Sequence, residues 1–324
     1  MPKSVRSSFA RRVRNFLNDS LEAKTHDSLL LQGRIASWQV RSMKTARSLQ
    51  DVEFRIFSQW GEDGIIDWLV EHANIPTNLH TFVEFGVENY SEANTRFLLE
   101  NRNWQGLILD GSPALAENLK KSTLYWQYNL TAKSAFITRE NINDLLLGSG
   151  LSGGIGLLSI DVDGNDYWIW EAITAIQPVI CICEYNAVFG DLHAISVPYD
   201  AKFERGLKHF SHLYFGASIA ALRSLAKRKG YQFLGTTLAG NDAFFIRDDY
   251  AASFDTALSN IVALPSRVRE SRDIEHNLSY IGGLNRLELI ADLPVINTET
   301  GETWKLRDVE PLYSANWLQQ MTWG

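Results

Sequence analysis

Three carboxylates follow one apolar run in the segment GLLSIDVDGND, residues 156–166. Asp161, Asp163 and Asp166 come directly after the residues LLSI. Carboxylates bind hard cations such as Mg²⁺ and also act as general bases, so the segment is suited to either chemistry. The spacing of Asp161 and Asp163 fits the metal-binding Asp-x-Asp of a sugar-nucleotide transferase. It fits equally well the carboxyl end of a strand in another nucleotide-binding sheet.

Further polar side chains follow the segment PVICICEYN. Glu184 ends this strand-like run, and Asn186 stands two residues further on. Neighbouring strands of a sheet lie about 4.8 Å apart. We therefore expect Asp161, Glu184 and Asn186 to converge on one metal ion through oxygen ligands. The alternative is that Asp161 only accepts hydrogen bonds from backbone amides or from the ammonium group of a ligand.

A substrate hydroxyl that no metal activates needs a general base. His193 lies in an aromatic-rich segment, residues 187–216, that interrupts the regular pattern, and its imidazole titrates near neutral pH. An irregular insertion beyond a strand end is more often functional than structural. Asp163 and Asp166 are competing candidates, and we group Asn186 with these catalytic residues because it would hold the reacting group.

The elements that would position these residues begin at about residue 80. Short β-rich runs alternate with amphipathic segments, as expected for parallel strands joined by crossover helices, with Ser91 and Ser112 as caps of the first two helices. The last two runs, YQFLGTT and DAFFIRDD, are joined only by LAGN and must be antiparallel neighbours. The sequence predicts an α/β fold, a Rossmann-like doubly wound sheet of about seven strands, mostly parallel with an antiparallel last strand. The other five runs are HTFVEFG, QGLILDG, TLYWQYNLTAKSAFI, GIGLLSIDVD and PVICICEYN.

In an open parallel sheet, ligands bind beyond the carboxyl ends of the strands. The first strand ends at Glu84 and Gly86, and the second ends at Asp110, 24 residues after Gly86. This interval is close to the ~20 residues after which an acid meets the ribose hydroxyls of a bound nucleotide. The sequence has no glycine-rich phosphate loop here, and Glu88 would repel a pyrophosphate. These residues argue against NAD, FAD and ATP and favour a nucleoside without phosphates, such as S-adenosylmethionine.

Several segments together resemble the FkbM-like branch of class I S-adenosylmethionine-dependent methyltransferases. They span about residues 53–250 and comprise FSQWGEDGIIDWL, FVEFGVENYSEANTRFLLENRNWQGLILDGS, SIDVDGNDYWIW, EYN, VPYD, YFGASIAALRSLAKRKGYQFLG and NDAFFIRDD. The chain departs from the family in the loop after the first strand, where the common Gly-x-Gly-x-Gly is reduced to Gly86.

The resemblance implies specific roles for residues of this chain. It places Glu84 and Gly86 at the methionine part of the cofactor and Asp110 on its ribose, while Gln59 reaches the cofactor's carboxylate. The full expected cofactor-binding set is Gln59, Glu84, Gly86, Asp110, Ser112 and Asp161. For Gln59, Glu62 and Asp63, the alternative is that they cap the helix that begins GIIDWL.

The implied activity is that of an S-adenosylmethionine-dependent O-methyltransferase acting on a hydroxyl of a sugar or glycan intermediate, since such proteins are often encoded with glycan-building enzymes. Some sugar O-methyltransferases hold Mg²⁺ at equivalent strand ends, so Mg²⁺ is a second expected cofactor. Two alternatives stay open. One is a metal-dependent glycosyltransferase that uses Asp161-Val162-Asp163, and the other is a non-catalytic methyltransferase-fold protein in a glycan-assembly complex.

Charge is distributed unevenly along the chain. The net charge is −7, but residues 1–50 carry ten Lys or Arg against three acids, or +7. Phe9, Val13, Phe16 and Leu17 fall at helical spacing beside these arginines, which suits contact with an anionic membrane surface or an acidic partner as well as packing on the domain itself. We expect a basic helical arm at residues 1–51, a methyltransferase-like domain at 52–250 and a C-terminal extension at 251–324 that packs on the domain.

Composition bounds the location and the partners. No apolar run approaches the roughly 18–20 residues that span a bilayer, and the N-terminus lacks the apolar core of a secretory signal. We therefore expect a cytoplasmic protein, peripheral at the inner face of the membrane where its arm binds lipid. The acidic body argues against nucleic acid as a partner, and an oligomer is compatible with the composition. In the extension, TALSNIVALPSRVRESRD is expected to be partly helical and VINTETGETWKL to form a hairpin around Thr300 and Gly301.

Overall fold

A seven-stranded sheet forms the centre of the computed structural model, which describes residues 24–321. The first six strands of the chain are β1 (Thr81–Phe85), β2 (Gln105–Asp110), β3 (Leu130–Ser134), β4 (Gly153–Ile160), β5 (Ile176–Glu184) and β6 (Ile195–Ser196), and they are followed by β7 (Tyr231–Thr236) and β8 (Asp242–Arg247). The sheet has the order β3-β2-β1-β4-β5-β8-β7, and β6 lies outside it. Strands β1 to β5 pair in parallel, whereas β8 runs antiparallel to both β5 and β7. The predicted doubly wound sheet with its antiparallel hairpin is confirmed.

The strand order reverses between β1 and β4. The chain builds β1, β2 and β3 outward in one direction and then returns to place β4 on the other side of β1. Such a reversal opens a crevice at the carboxyl ends of the two central strands, because the connecting helices leave on opposite faces. The ends of β1 and β4 therefore flank the natural ligand position in this fold.

Helices cover both faces of the sheet. They are α1 (residues 24–42), α2 (Glu62–Ala73), α3 (Arg96–Arg102), α4 (Leu115–Lys121), α5 (Leu124–Gln127), α6 (Ile142–Leu147), α7 (Asp166–Ala172), α8 (Arg205–Lys208), α9 (Ile219–Arg228), α10 (Asp248–Ala251), α11 (Asn285–Ile290) and α12 (Ala315–Met321). One apolar cluster joins α2 and α3 to the sheet through Ile66 and Leu99, and a second joins α7 and α9 to the opposite face through Trp170 and Leu222. Both faces of β4 and β5 are thus buried, which explains why these strands are almost continuously apolar.

Two helix starts differ from the prediction. Ser91 and Ser112 were expected as caps, but α3 follows Thr95 and α4 follows Ala114, neither with a side-chain cap. At α3 the reason is a long-range bond. The buried carboxylate of Glu84 accepts the Thr95 N–H at 3.0 Å, so a strand residue satisfies a donor that a local cap would otherwise take.

The C-terminal extension matches the prediction only in part. The expected hairpin is confirmed: β9 (Pro294–Asn297) pairs antiparallel with β10 (Thr303–Lys305), and β6 adds a third strand. The expected helix within residues 256–273 is wrong, since the segment from 259 onward has no helical turn. Its backbone bonds elsewhere, for example from the Leu264 N–H to the Thr236 hydroxyl, and Pro265 has no N–H for a helical bond.

Helix α1 is the described part of the predicted basic arm. It packs closely on the domain at Gly33, where an added Cβ would lie 2.6 Å from the ring of Phe97. The expectation for Phe9, Val13, Phe16 and Leu17 lies outside the described residues. Among helices of the described part, none is both long and apolar enough to cross a membrane. The division into arm, domain and extension stays a prediction.

Candidate functional site

Two adjoining cavities open at the carboxyl ends of the strands. Cavity A, of about 340 Å³, lies beyond β1, β4, β5 and β8, and cavity B, of about 540 Å³, lies beyond β2 and β3. Both walls include Gly86, Asp110, Asp161 and Arg205. The crevice that the strand order predicts is therefore present, and the acids expected at the strand ends meet in it.

Gly86 lies between the two cavities and lines both of them. Its φ is +74°, and an added Cβ would lie only 1.6 Å from the carbonyl oxygen of Asp161. Its N–H donates to the Leu109 carbonyl at 3.0 Å. The loop after β1 thus passes directly over the end of β4, which only a residue without a side chain permits.

Glu84 lies under this loop. Its Oε1 accepts the Asn94 N–H at 2.7 Å, and its Oε2 accepts the N–H and the hydroxyl of Thr95. Burial raises the pKa of Glu84 to about 7, although these donors oppose the shift. Glu84 lines cavity A as expected, and in addition it holds the segment that leads into α3.

Asp110 links the loops after β1 and β2. Its Oδ2 accepts the Glu88 N–H at 2.8 Å, and its Oδ1 accepts the Ser112 N–H at 2.6 Å. Each oxygen has a second lone pair, because an ionised carboxylate offers about four acceptor positions. Ser112 lines cavity B next to it, so both residues stand where a ribose was expected.

An acidic cluster occupies the ends of β4 and β5. One carboxylate oxygen from each of Asp161, Asp166 and Glu184 lies within 4.8 Å of the others. Burial raises the pKa of Asp161 and of Glu184 well above the usual range; the charges of Asp163 and Asp166 raise that of Asp161 further, and the charge of Asp161 raises that of Glu184. The Oε2 atom of Glu184 is buried and has no hydrogen-bond partner among the described residues. The cluster has the oxygen donors and the unmet charge that a divalent cation requires.

Asp166 and Asp163 have different surroundings. Asp166 is fully buried, accepts the N–H groups of Val162 and Gly164, and has a pKa that burial raises to about 6. Asp163 has a left-handed backbone, with φ of +55°, and its side chain is 68% exposed. Of these two candidate bases, Asp163 is the one that solvent or a substrate reaches.

The Asn186 side chain has structural partners that its predicted role as a metal ligand did not include. Its amide nitrogen donates to the carbonyls of Leu213 and Phe215 at 2.8 and 2.9 Å, and its oxygen accepts the Val188 N–H at 2.9 Å. The side chain therefore holds the inserted segment against the strand end. Asn186 also lines cavity A, and its role as a metal ligand stays a prediction. Asp166 joins the acidic cluster in addition, because the loop after β4 turns back toward its own strand.

His193 also lies elsewhere than expected. Its backbone carbonyl accepts the Ser218 hydroxyl at 2.7 Å at the start of α9, and the residue is not part of the wall of either cavity. The inserted segment does contribute to the site, but through a different residue.

Arg205 on α8 is the contribution that the sequence did not indicate. Its Nη1 lies 3.2 Å from Asp163 Oδ1 and 3.9 Å from Glu184 Oε1, and its Nη2 pairs with Glu270. The guanidinium also stacks on the ring of Phe215 at 3.7 Å. This cation offsets part of the negative charge of the cluster. Nothing in the local sequence signals it, because its carboxylate partners are 21 or more residues away.

Cavity A is also lined by Gln59 and Asp242. Gln59 lines the cavity as expected, with its Oε1 accepting the indole N–H of Trp60 at 3.1 Å. The capping alternative holds in a modified form for Asp63, whose Oδ2 accepts the N–H groups of residues 56, 57 and 58 in the loop before α2. Asp242 was not expected; it is buried at the start of β8, and burial together with Glu62 and Asp161 raises its pKa well above the usual range.

Comparison with known proteins gives a likeness at the level of architecture. No family model and no curated protein matches the sequence. Among solved structures, an S-adenosylmethionine-dependent methyltransferase from Clostridium acetobutylicum ATCC 824 matches with 9% identity and a TM-score of 0.36, over 57% of this chain and 90% of that chain. An O-methyltransferase family protein from Burkholderia thailandensis matches with 10% identity and a TM-score of 0.33, over 68% and 69% of the two chains. Mitomycin 7-O-methyltransferase matches with 16% identity and a TM-score of 0.32, over 57% and 55%. At these values the assignment of the fold rests on the strand order and directions of the chain itself.

Proposed function

We propose that this chain is an S-adenosylmethionine-dependent methyltransferase whose cofactor lies across the carboxyl ends of β1, β2 and β4. The observation that carries the proposal is the position of Gly86. There the loop after β1 passes the end of β4, and the two cavities meet where the strand order reverses. In cavity B, Asp110 has lone pairs left for ribose hydroxyls. Phe136 in the same wall is 48% exposed and offers an apolar face to an adenine ring.

The charge of cavity A supports a cationic ligand. Its wall contains Glu84, Asp161, Glu184 and Asp242, and the charge of Asp161 raises the proton affinity of both Glu184 and Asp242. The sulfonium and ammonium groups of S-adenosylmethionine are cations and would relieve this repulsion. A phosphate-bearing cofactor would increase it. The acidic wall and the reduced glycine loop therefore favour the same class of cofactor.

For the acceptor we propose a hydroxyl of a sugar or glycan intermediate, as the resemblance to FkbM-like proteins implies. The hydroxyl oxygen attacks the methyl carbon in line with the sulfonium, so that a C–O bond forms, the C–S bond breaks and the hydroxyl proton is lost. Asp161 and Glu184 would accept that proton in their ionised forms, which the neighbouring cation of the cofactor would favour. Exposed Asp163 lies on the side from which the acceptor enters.

The acidic cluster also fits Mg²⁺, which Asp161, Asp166 and Glu184 would hold. The three oxygens within 4.8 Å and the unpartnered Oε2 of Glu184 support this assignment. Bound Mg²⁺ would supply Lewis acidity that lowers the pKa of a coordinated hydroxyl. Arg205 would then keep Glu184 and Asp163 in position beside the ion.

Calorimetric titration tests the proposal directly. We expect wild-type protein to bind S-adenosylmethionine and S-adenosylhomocysteine, and we expect Asp110→Asn to weaken both by about tenfold, since a carboxylate acceptor for the ribose is lost. Asp292→Asn, an exposed substitution in the extension, is the matched control and should change neither affinity. Absence of S-adenosylmethionine binding would refute the proposal. Metal-dependent binding of UDP-sugars would instead support the glycosyltransferase, and binding of neither ligand would support the non-catalytic alternative.

We also propose that α1 and the basic segment before it contact an anionic membrane surface. Leu31, Ile35 and Trp38 form one stripe of α1, with exposures of 59, 52 and 76%. An amphipathic helix preceded by basic residues is suited to such a surface. Sedimentation with vesicles containing phosphatidylserine should recover the protein, and replacement of the three residues by Ser should abolish recovery. Equal recovery of both proteins, or binding to pure phosphatidylcholine, would contradict the proposal.

A further inference from the structure

The C-terminal extension supplies one end of cavity A. The extension residues in its lining are Ser266, Val268, Glu270 and Arg286. The first three belong to the non-helical segment after β8, and Arg286 lies on α11. None of them was expected at the site, because the sequence indicates only that the extension packs on the domain.

Arg286 is buried without a counter-ion. The residue is 5% exposed, its Nη2 donates to the Ser266 carbonyl at 2.7 Å, and its Nη1 lies 3.3 Å from the Val268 carbonyl. Its Nε has no acceptor among the residues that the structure describes. A guanidinium has five N–H donors, so two carbonyls leave most of its donors unused.

The other arginine of cavity A shows the contrast. Arg205 has three carboxylate oxygens within 4.0 Å, from Asp163, Glu184 and Glu270. Within the described part of the chain, Arg286 has no carboxylate at such a distance. A buried and unpaired charge is costly, and native proteins tolerate it where a ligand supplies the missing partner.

The surroundings of Arg286 add positive charge. A small pocket of about 20 Å³ on the extension is lined by Arg267, Arg269 and Arg286 together with Gly282 and Gly283, and its described wall contains no acidic residue. Burial lowers the pKa of Arg286, and the charge of Arg269 acts in the same direction, whereas Tyr313 and Glu270 raise it. An anion beside the Nε of Arg286 would offset the cost of burying this charge.

We propose that Arg286 binds the phosphate group of a phosphorylated sugar acceptor at the extension's end of cavity A. The assignment of the phosphate to the acceptor rests on the proposed function. Arg286 would donate to phosphate oxygens through N–H groups that the carbonyls of Ser266 and Val268 leave unused. Glu270, the acid of this part of the wall, is paired with Arg205. This arrangement fixes which end of the acceptor faces the methyl group.

A purely structural Arg286 would behave differently. Its two bonds to backbone carbonyls brace α11 against the segment that contains Ser266 and Val268, and that bracing needs no ligand. A structural role predicts that substitution lowers stability without changing the affinity for anions. The affinity for phosphate is thus the measurement that separates the two roles.

Titration calorimetry with inorganic phosphate, glucose 1-phosphate and glucose provides the test. We expect glucose 1-phosphate to bind more tightly than phosphate or glucose, and Arg286→Met to weaken it by about tenfold to a hundredfold, as for the loss of a charge-assisted hydrogen bond. Arg286→Lys should restore part of the affinity. Arg307→Met, at an exposed arginine that pairs with Asp292, is the matched control and should bind as wild type does.

A second pair of variants tests the site without removing Arg286. Val268→Glu places a carboxylate beside the guanidinium and should abolish phosphate binding. Val268→Gln introduces a side chain of the same size as glutamate but without the charge, and it should preserve binding. Unchanged affinity in Arg286→Met or in Val268→Glu would overturn the proposal. Equal affinity for inorganic phosphate and glucose 1-phosphate would assign the site to free phosphate and overturn the acceptor assignment. S-adenosylmethionine titrated into the same samples tests the proposed activity separately.

Discussion

Replacement of Gly86 by Ala adds one methyl group at the point where the loop after β1 passes the end of β4. The backbone at Gly86 has a φ of +74°, which costs a residue with a side chain about 1 kcal/mol. The added Cβ would lie 1.6 Å from the Asp161 carbonyl oxygen, and to reach 3.0 Å the loop after β1 and the end of β4 must separate by about 1.4 Å. Forced displacement in a packed core costs about 1–3 kcal/mol more. We therefore expect the free energy of unfolding to fall by about 2–4 kcal/mol.

Gly150→Ala is the matched control. Gly150 has a φ of +77°, close to that of Gly86, but an added Cβ would meet no atom within 4 Å. Urea unfolding of the two variants should show a loss of about 1 kcal/mol for Gly150→Ala and at least twice that for Gly86→Ala. If methyl transfer is the activity, a displacement of more than 1 Å in Asp161 should also slow it by about a hundredfold in Gly86→Ala alone. Equal losses of stability in both variants would show that the contact with Asp161 carries no energy.

Two further substitutions test the surroundings of the strand ends. Glu84→Gln should flatten the dependence of stability on pH: burial raises the pKa of Glu84 to about 7, so from about pH 4.5 to pH 7 the folded protein retains a proton that the unfolded chain loses, and the free energy of unfolding falls as pH rises. Urea unfolding across this range measures the slope, and an unchanged slope in the variant would contradict the assignment. Asn186→Ala should cost about 1–3 kcal/mol, because the carbonyls of Leu213 and Phe215 lose their donors. Its affinity for Mg²⁺, measured by calorimetry, should remain that of wild type, and a large loss would restore Asn186 as a ligand.

Sequence patterns predict the sheet and the residues at its strand ends. Alternating apolar runs and crossover helices leave few possible topologies, and a parallel sheet brings the carboxyl ends of its strands to one edge. Glu84, Gly86, Asp110 and Asp161 therefore reach the cavities as expected. Glycine at the end of the first strand is the strongest of these signals, since its Cβ position is occupied by the backbone of another strand.

The residues that sequence reasoning missed are placed by long-range contacts. Arg205 and Arg286 enter the site from a four-residue helix and from the extension, where no periodic pattern fixes the direction of a side chain. Asn186 follows a strand as a ligand would, but it bonds to carbonyls 27 and 29 residues further along the chain. His193 belongs to the inserted segment, yet it lines neither cavity. Spacing along the chain identifies candidate site residues, but it does not show which hydrogen-bond partners those side chains have in the folded protein.

The distribution of charge along cavity A gives the site a direction. Four buried acids at the strand ends hold their protons more tightly than free carboxylates do, so a cation that binds there must displace protons and should bind more tightly as pH rises. Elsewhere in the same wall, Arg286 has an Nε without an acceptor among the described residues and attracts an anion rather than a cation. A ligand that spans the cavity is therefore oriented by its own charges before any specific hydrogen bond forms. For an acceptor that has a hydroxyl at one end and a phosphate at the other, the hydroxyl meets the acids that can take its proton.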